Sequence, residues 1–557
     1  MHNSKIRAGQ ARGVFLLLVF VCLTPGLARA QNPAQNWTYT IREGDTLISI
    51  CRAYLRDPES WPTVVKTNNI SDPERLRVGS QLRIPFTMLR TFAGTADAMW
   101  TRGEVKAFSA DGAPVAVTAG ARLPTGSRIE TGSQGAVLLR LVNGTLLLVD
   151  ERSRVVLDEM TVYSLTGTTR TRLRMDSGRI ENRVVTPLSG TSQYQIKTPV
   201  VTTAARGTEF RVSLDEQQRT ALSEVVHGRI DVAAGKEQRP LDAGFGVSVS
   251  AGGHIAAPTP LPAAPELASL PARLERMPVQ LSWPAQTAAQ KYRVRLTDVT
   301  DDRTLIDDIV DTPKAQWAEV PDGSYRVSIR SIADNGLEGR DAESALVIHA
   351  RPEPPLVSTP QHQARLHGGD VEFQWTRSAT ASSYDVEIAD EPTFAKPIAT
   401  MTSYAQTQIR RSLAPGVYFW RIASRPASGE RGPFGDPLTF TLRRYPDGRE
   451  AQAEIGKKML TLRWTAGKPG ETAQFEFSRD ATFATKIADQ TTSALQVDLP
   501  RPEPGTYFVR VRSIDEEGTQ GPFGPTQTIE VPPPKHRPWW PWLVVPAAVA
   551  GAIVALR

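Results

Sequence analysis

Few residues in this 557-residue sequence stand at spacings that could break a bond. None of the seven histidines falls in a His-Glu-x-x-His pattern, and neither Ser-x-x-Lys nor a phosphate-cradling Gly-x-x-x-x-Gly-Lys occurs. Gly244-Phe245-Gly246 lacks the third glycine of a dinucleotide loop, because Val249 stands there. The chemistry on offer is recognition. Arg170, Arg172 and Arg174 alternate with Thr171, Leu173 and Met175, so a strand here would carry three guanidinium groups on one face. Such a row could hold an anion such as phosphorylated envelope polymer, and an ordinary solvated sheet face is the plainer reading. Arg206 and Glu209 could be a recognition pair or an internal ion pair holding a turn. No catalytic residue, metal ligand set or cofactor is implied.

A second kind of chemistry sits in Tyr39 to Pro85. Tyr39 and Ile41 alternate with polar neighbours, as a half-buried strand does. Glu43-Gly44-Asp45 makes a turn, and Asp45 or Thr46 caps a helix opening on the apolar run Leu47, Ile48, Ile50 and Cys51. A second helix is predicted from about Glu59, with Trp61, Val64 and Val65 at helical spacing and Asn68-Asn69 to stop it. Val78 to Pro85 is a turn feeding a closing strand. This order of elements, with Gly44-Asp45-Thr46-Leu47, Trp61, Asn68, Ile70, Leu76, Gly79, Leu82, Ile84 and Pro85, resembles the LysM module. The resemblance implies a glycan ligand built on N-acetylglucosamine, peptidoglycan or chitin. It also implies a groove walled by Gly44, Asp45, Thr46 and Leu47 on one side and by Asn69, Ile70 and Ser71 on the other. Backbone amides and small polar side chains suit an acetamido group, an apolar wall suits its methyl, and no ion is required. The plainer alternative has Asp45 and Thr46 cap a helix and Ile70 fill core.

From about Gly103 to Val249 short apolar stretches are broken by glycine turns, an all-β pattern in which Asn143-Gly144 marks a hairpin. Ile129-Glu130-Thr131-Gly132, Asn143-Gly144-Thr145-Leu146, Ile196-Lys197-Thr198-Pro199, Ala205 to Val212 and Val226 to Val232 make this region resemble the FecR domain. In that family the domain is the periplasmic sensing part of regulators that act on sigma factors. Those regulators carry a cytoplasmic segment ahead of a membrane span; here a cleavable signal and a LysM-like module stand there, which favours protein binding or scaffolding over signalling.

Ala256 to Pro271 is rich in Ala and Pro and reads as a stiff linker. A repeat follows. Leu281-Ser-Trp283, Phe373-Gln-Trp375 and Leu462-Arg-Trp464 mark one strand; Tyr292-Arg-Val294, Tyr384-Asp-Val386 and Phe475-Glu-Phe477 mark the next. Tyr325, Tyr418 and Tyr507 each follow a proline-containing turn. The tryptophans are 92 and 89 residues apart, one β-sandwich each, and the units look like fibronectin type III domains acting as spacers. Gly432-Pro433-Phe434-Gly435 and Gly521-Pro522-Phe523-Gly524 read as turns.

Residues 1–30 read as a signal peptide: Lys5, Arg7 and Arg12, an apolar core from Val14 to Leu23, and Ala28-Arg29-Ala30 as the cleavage site. Removing its four positive charges from the net +6 leaves +2, so nucleic acid is not an implied partner. Only Cys51 then remains, so no disulfide framework exists. Trp539 to Leu556 is eighteen mostly apolar residues, about 27 Å as a helix, and reads as a membrane anchor with Trp539, Trp540 and Trp542 at the interface.

The expected architecture is multidomain and mainly β. It comprises a signal peptide (1–30), a small α+β LysM (37–87), an all-β FecR-like domain (100–250), a linker (256–276), three fibronectin III-like sandwiches (277–350, 355–444, 448–532) and a transmembrane helix (539–556). The expected function is non-enzymatic binding of peptidoglycan in the periplasm or cell envelope, with protein partners recruited by the β domains. A FecR-type periplasmic sensor is the alternative, and an accessory subunit of a wall hydrolase a third.

Overall fold

β1 (Asn36–Thr40) buries Trp37 and Tyr39 and exposes the residues between, so its sequence alternation is real packing. It runs into α1 (Leu47–Tyr54), α2 (Trp61–Asn68) and β2 (Gln81–Pro85), and the two strands pair antiparallel with Tyr39 opposite Leu82. The computed structural model describes residues 36–186, 192–215 and 220–533, in two units, Met1–Ile348 and His349–Arg557. The expected signal peptide and membrane anchor lie outside the described residues. Among those described, no helix is long and apolar enough to cross a membrane.

The second helix starts at Trp61 because Pro58–Ser60 forms a 3-10 turn first, on an Asp57 cap. α1 buries Leu47, Ile50 and Cys51 and turns Ile48 outward, 54% exposed. Burial pushes the Cys51 thiol up to about 11, which leaves it a small hydrophobe. This small core is completed from outside: Tyr163 packs into it, edge-on to Phe86 at 4.9 Å. The Arg90 N–H donates to the Tyr54 carbonyl and the Ser164 N–H to the Arg90 carbonyl, sewing the module to the next domain.

That domain is a closed β-barrel. Its strands used below are β3 (Thr95–Arg102), β4 (Ala136–Leu141), β5 (Leu146–Val149), β6 (Arg154–Tyr163), β7 (Thr168–Arg183), β8 (Glu209–Asp215), β9 (Thr220–His227) and β10 (Phe245–Val249). The long β7 pairs with β6 over its first half and with β5 and β8 over its second. Asn143-Gly144 turns the β4–β5 hairpin as expected, with Gly144 at φ 83°. The arginine row on β7 is a solvated face with its own partners: Arg172 pairs with Glu159 at 3.2 Å, and Arg170 lies over the Tyr163 ring. Arg206 and Glu209 do not form the expected pair. Glu209 lies opposite Arg183 in the β7–β8 ladder and binds it at 3.4 Å.

Seven residues line up across the outer face of this barrel, one per strand or turn of the ladder: Trp100, Leu138, Leu148, Glu181, Arg211, Glu224 and Gly246. The first sandwich packs on this row. It holds β11 (Lys291–Asp298), β12 (Thr304–Val310), β13 (Gly323–Ile332) and β14 (Ala342–Ile348) in one sheet, with Val279–Ser282 and Lys314–Trp317 forming the other. Arg295 grips Glu181 with two N–H groups at 2.9 Å and Asp150 at 3.1 Å. Glu338 accepts from Arg179 at 2.8 Å, Arg293 at 3.2 Å and Arg330 at 3.3 Å, while its own N–H donates to Glu224. Arg211 donates to the Glu338 and Gly339 carbonyls. With Arg102 4.0 Å from Asp307, six arginines face Asp150, Glu181, Glu224, Asp307, Glu338 and Asp341.

Two expectations are therefore corrected. The first sandwich is a partner of the barrel and not a spacer, because the charges on its sheet are buried against charges of opposite sign. The Ala/Pro-rich segment is not a free linker either. Thr259–Pro260 extends the barrel sheet beside β10, and Leu267 is buried. Leu261 and Leu337 pack where a side chain on Gly246 would sit, since a Cβ there would meet them at 2.7–3.0 Å.

The second and third sandwiches each pair a three-stranded sheet with a larger one. Trp283, Trp375 and Trp464 are buried in the three cores as expected. Tyr325, Tyr418 and Tyr507 donate to the carbonyl four residues back, at 2.8, 2.7 and 2.9 Å. The third repeat departs from its expected alignment. Glu387 pairs across the sheet with Arg421, three residues past its corner tyrosine, and Glu476 does so with Arg510, so Phe475 matches Val386 rather than Tyr384. A two-residue slip keeps every side chain on its own face, so alternation alone could not detect it.

Glu338→Ala is expected to cost about 3–5 kcal/mol, since it strands three buried guanidinium groups. Glu159→Ala at the surface should cost under about 1 kcal/mol, with urea melts of both variants as the check. Burial alone would raise the Glu338 carboxyl, but Arg179, Arg293, Arg330 and Arg211 outweigh it and hold it at about 2. Glu181 is held well below the carboxylate range in the same way, whereas Asp150 is pushed up by burial and by Asp307. A carboxyl depressed by folding contributes stability that is full above its ordinary value of 4.5 and is lost as pH falls toward 2. Urea midpoints should thus drop between about pH 5 and pH 2, less steeply in Glu338→Gln.

Candidate glycan-binding site

The seven residues assigned to a glycan groove split by burial. Gly44, Thr46, Asn69 and Ser71 are exposed, Asp45 and Ile70 are half-buried, and Leu47 is 1% exposed. Leu47 is therefore core, and its side chain cannot touch a sugar. It is the first buried residue of α1 and anchors the loop from below. Ile70 also packs on that core, so both loops are fixed to one hydrophobic cluster.

Local hydrogen bonds explain why the loops hold their shape. Asp45 does not cap the helix; its carboxylate accepts from the Tyr39 hydroxyl and from the Arg42 N–H, each at 2.7 Å. Burial and that carboxylate push the Tyr39 hydroxyl up to about 12, so it stays a donor. Thr46 is the cap: its hydroxyl oxygen accepts from the Ser49 N–H at 3.1 Å, and Ser49 accepts from the Thr46 N–H at 3.0 Å. The Thr46 hydroxyl proton remains available to a ligand. Gly44 has φ 83° with nothing within 4 Å of a Cβ position, so a ligand can approach its backbone.

On the other wall Asn69 ends α2 in the left-handed region, φ 51°. The Asn68 amide donates to the carbonyls of Val64 and Arg83 and accepts from the Arg83 N–H at 2.7 Å, which clamps the helix end to β2. Sequence reasoning placed Ile48 in the buried run, yet it stands outward two residues after the Thr46 cap. Its signal was its place one step off the Leu47, Ile50, Cys51 face. The site offers hydroxyls, backbone groups and apolar edges with no titratable cluster, which suits a neutral ligand.

Residues 39–85 match the LysM domain. Residues 127–231 match FecR protein. The chain is also similar to solved structures. One is a Parabacteroides distasonis protein described as an anti-sigma factor, at 13% identity over 24% of this chain and 59% of that one, TM-score 0.21. Another is the FN1–FN3 domains of chicken CNTN1, at 14% identity over 49% and 98%, TM-score 0.23. A third is the fibronectin(III)-like modules of Clostridium thermocellum CbhA, at 16% identity over 32% and 96%, TM-score 0.22. The chain thus spans less than two thirds of the anti-sigma factor's length. No sequence among the curated proteins matches it. A segment matching LysM, a segment matching FecR and three two-sheet β-sandwiches are what this chain carries.

Thr46→Ala is expected to lower stability by about 1 kcal/mol through the lost cap, and Thr46→Ser by much less. Thermal melts of the two variants separate the capping role from any role in binding.

Proposed function

We propose that this protein is a non-enzymatic envelope protein that binds peptidoglycan through its LysM module. The observation that carries the reading is the LysM match over 39–85, together with the exposed Gly44, Thr46, Asn69 and Ser71 above a shared core. Thr46 and the loop backbones would take the acetamido group of an N-acetylglucosamine unit, with Ile70 and Ile48 beside its methyl. LysM and FecR are non-catalytic families, and binding needs no cofactor or metal. A single module binds weakly. Tethering through the apolar segment 539–556 would place it beside the wall and raise its effective concentration. The β domains would then recruit envelope proteins.

The FecR match over 127–231 supports a second reading, a periplasmic sensor whose barrel meets a transducer protein. A groove of about 290 Å³ on the barrel, with Val142, Tyr194, Ala205 and Arg206 in its lining, would be its contact.

Co-sedimentation with purified sacculi tests the first reading. Because Tyr163 of the barrel completes the LysM core, the test uses the whole mature chain and not residues 31–90 alone. Pelleting is expected for the unmodified chain, and Thr46→Ala with Ile70→Ala should weaken it roughly two- to tenfold, the worth of about one hydrogen bond, whereas Thr46→Ser, which keeps the hydroxyl, should pellet like the unmodified chain. Equal pelleting of the double variant would refute these site residues, and no pelleting of the unmodified chain would refute the function.

A further inference from the structure

We propose a second saccharide site, in the cleft where the barrel meets the first sandwich, which takes one small neutral polyhydroxylated ring. The cleft is partly open to solvent and offers about 160 Å³, room for one ring. The outer row of the barrel builds one wall. Of this row Trp100, Leu138 and Leu148 form the apolar part of the cavity lining, and Glu181 and Arg211 line it beside them while bound to the sandwich. Facing that apolar part are the hydroxyls of Thr297, Thr304 and Ser328.

Trp100 is there because the backbone is bent to put it there. Ala98 lies opposite Leu139 in the core, so regular alternation would send Trp100 inward as well. A bulge at Met99 instead sets Trp100 opposite Leu138 on the outer face. The ring is 6% exposed and lines the cavity, while its indole N–H is buried without a partner, as are those of the core tryptophans Trp283, Trp375 and Trp464. On the facing wall Thr297 and Thr304 bond only each other, at 3.2 Å, and Ser328 reaches Glu343 only at 3.5 Å, so their hydroxyls have capacity to spare.

Charge selects the ligand. Glu181, Glu209, Asp302, Asp341 and Glu343 line the cavity, and each already faces an arginine. An ionic ligand that displaced Glu181 or Asp341 would strand the buried Arg295 or Arg330, which is costly, whereas the exposed pairs of Glu209, Asp302 and Glu343 are cheap to open. A neutral ring leaves the pairs intact, lays its C–H face on the tryptophan and leucines, and exchanges hydrogen bonds with the hydroxyls. Such a ring could be a free sugar or a unit of a larger glycan.

Saturation-transfer NMR on the mature chain, with glucose and with N-acetylglucosamine as separate probes, tests the site. Glucose lacks the acetamido group on which the LysM reading rests, so failure of one site leaves the other readable. Glucose is expected to receive saturation from both the unmodified chain and the Thr46→Ala/Ile70→Ala variant. Trp100→Phe, which removes only the N–H and part of the ring, combined with Ser328→Ala should weaken binding at least threefold. Thr304→Val gives the same reading from the sandwich side should the first variant not fold. N-acetylglucosamine binding equally well to the LysM variant would point to a wall-derived ligand; glucose alone would point to a free sugar. No saturation of either probe in the LysM variant, or equal binding after the cleft substitutions, overturns the proposal.

Discussion

Six arginines and six carboxylates closed between two β domains set the terms for the first unit. Taking so many charges out of water is expensive, and their mutual attraction offsets that only where geometry is good and every lone pair is met. Here the work is divided: Glu338 binds arginines from both domains, and Arg295 spans Glu181, Asp150 and Asp307, while Arg102 and Arg179 each keep one buried N–H without an acceptor. A network of this kind adds less to net stability than an apolar interface of the same area would. It ties the two sheets to one register, because Glu338, Glu181 and Arg295 each bind several partners at once. The surrounding details follow from that register, including Gly246 at the end of the row and the Leu261 segment pressed against it.

The three sandwiches use one scaffold position in two ways. Across their sheets, Arg295 and Ser328 of the first occupy the places of Glu387 and Arg421 in the second and of Glu476 and Arg510 in the third. In the later two the arginine stays within its own domain, paired to its glutamate and stacked on rings: Phe394 and Phe434 around Arg421, Phe483 and Phe523 around Arg510, all at 4.1–4.2 Å. The first sandwich has Asp341 where those domains have Phe434 and Phe523, as the shared glycine hydrogen bonds of Gly339, Gly432 and Gly521 show. Losing the aromatic cap freed that face for ionic contact with a neighbour.

How much of this the sequence disclosed depended on the range of the interaction. Alternation, caps and turns are local, and Tyr39, Thr46, Asn143-Gly144, the core tryptophans and the corner tyrosines all stand where residue type and spacing placed them. Leu47 and Ile48 sit side by side in one apolar run, and only the helix phase decides which is core and which is surface. The ionic seam joins residues up to 205 positions apart, beyond any periodicity. One trace of it was present: Gly-Pro-Phe-Gly recurs in the second and third repeats, and the first has Gly339-Arg340-Asp341 instead. The bulge that turns Trp100 outward left no such trace, since inward and outward placements read alike in sequence.

Tyr163 gives the N-terminal module a property that its small size would not suggest. A bead on a string can swivel, and a tug on it is absorbed by the string. Here an aromatic ring from the barrel is seated inside the bead, with backbone bonds on either side of the joint. The module therefore has a fixed heading, and a load applied at its loops reaches the barrel as torque.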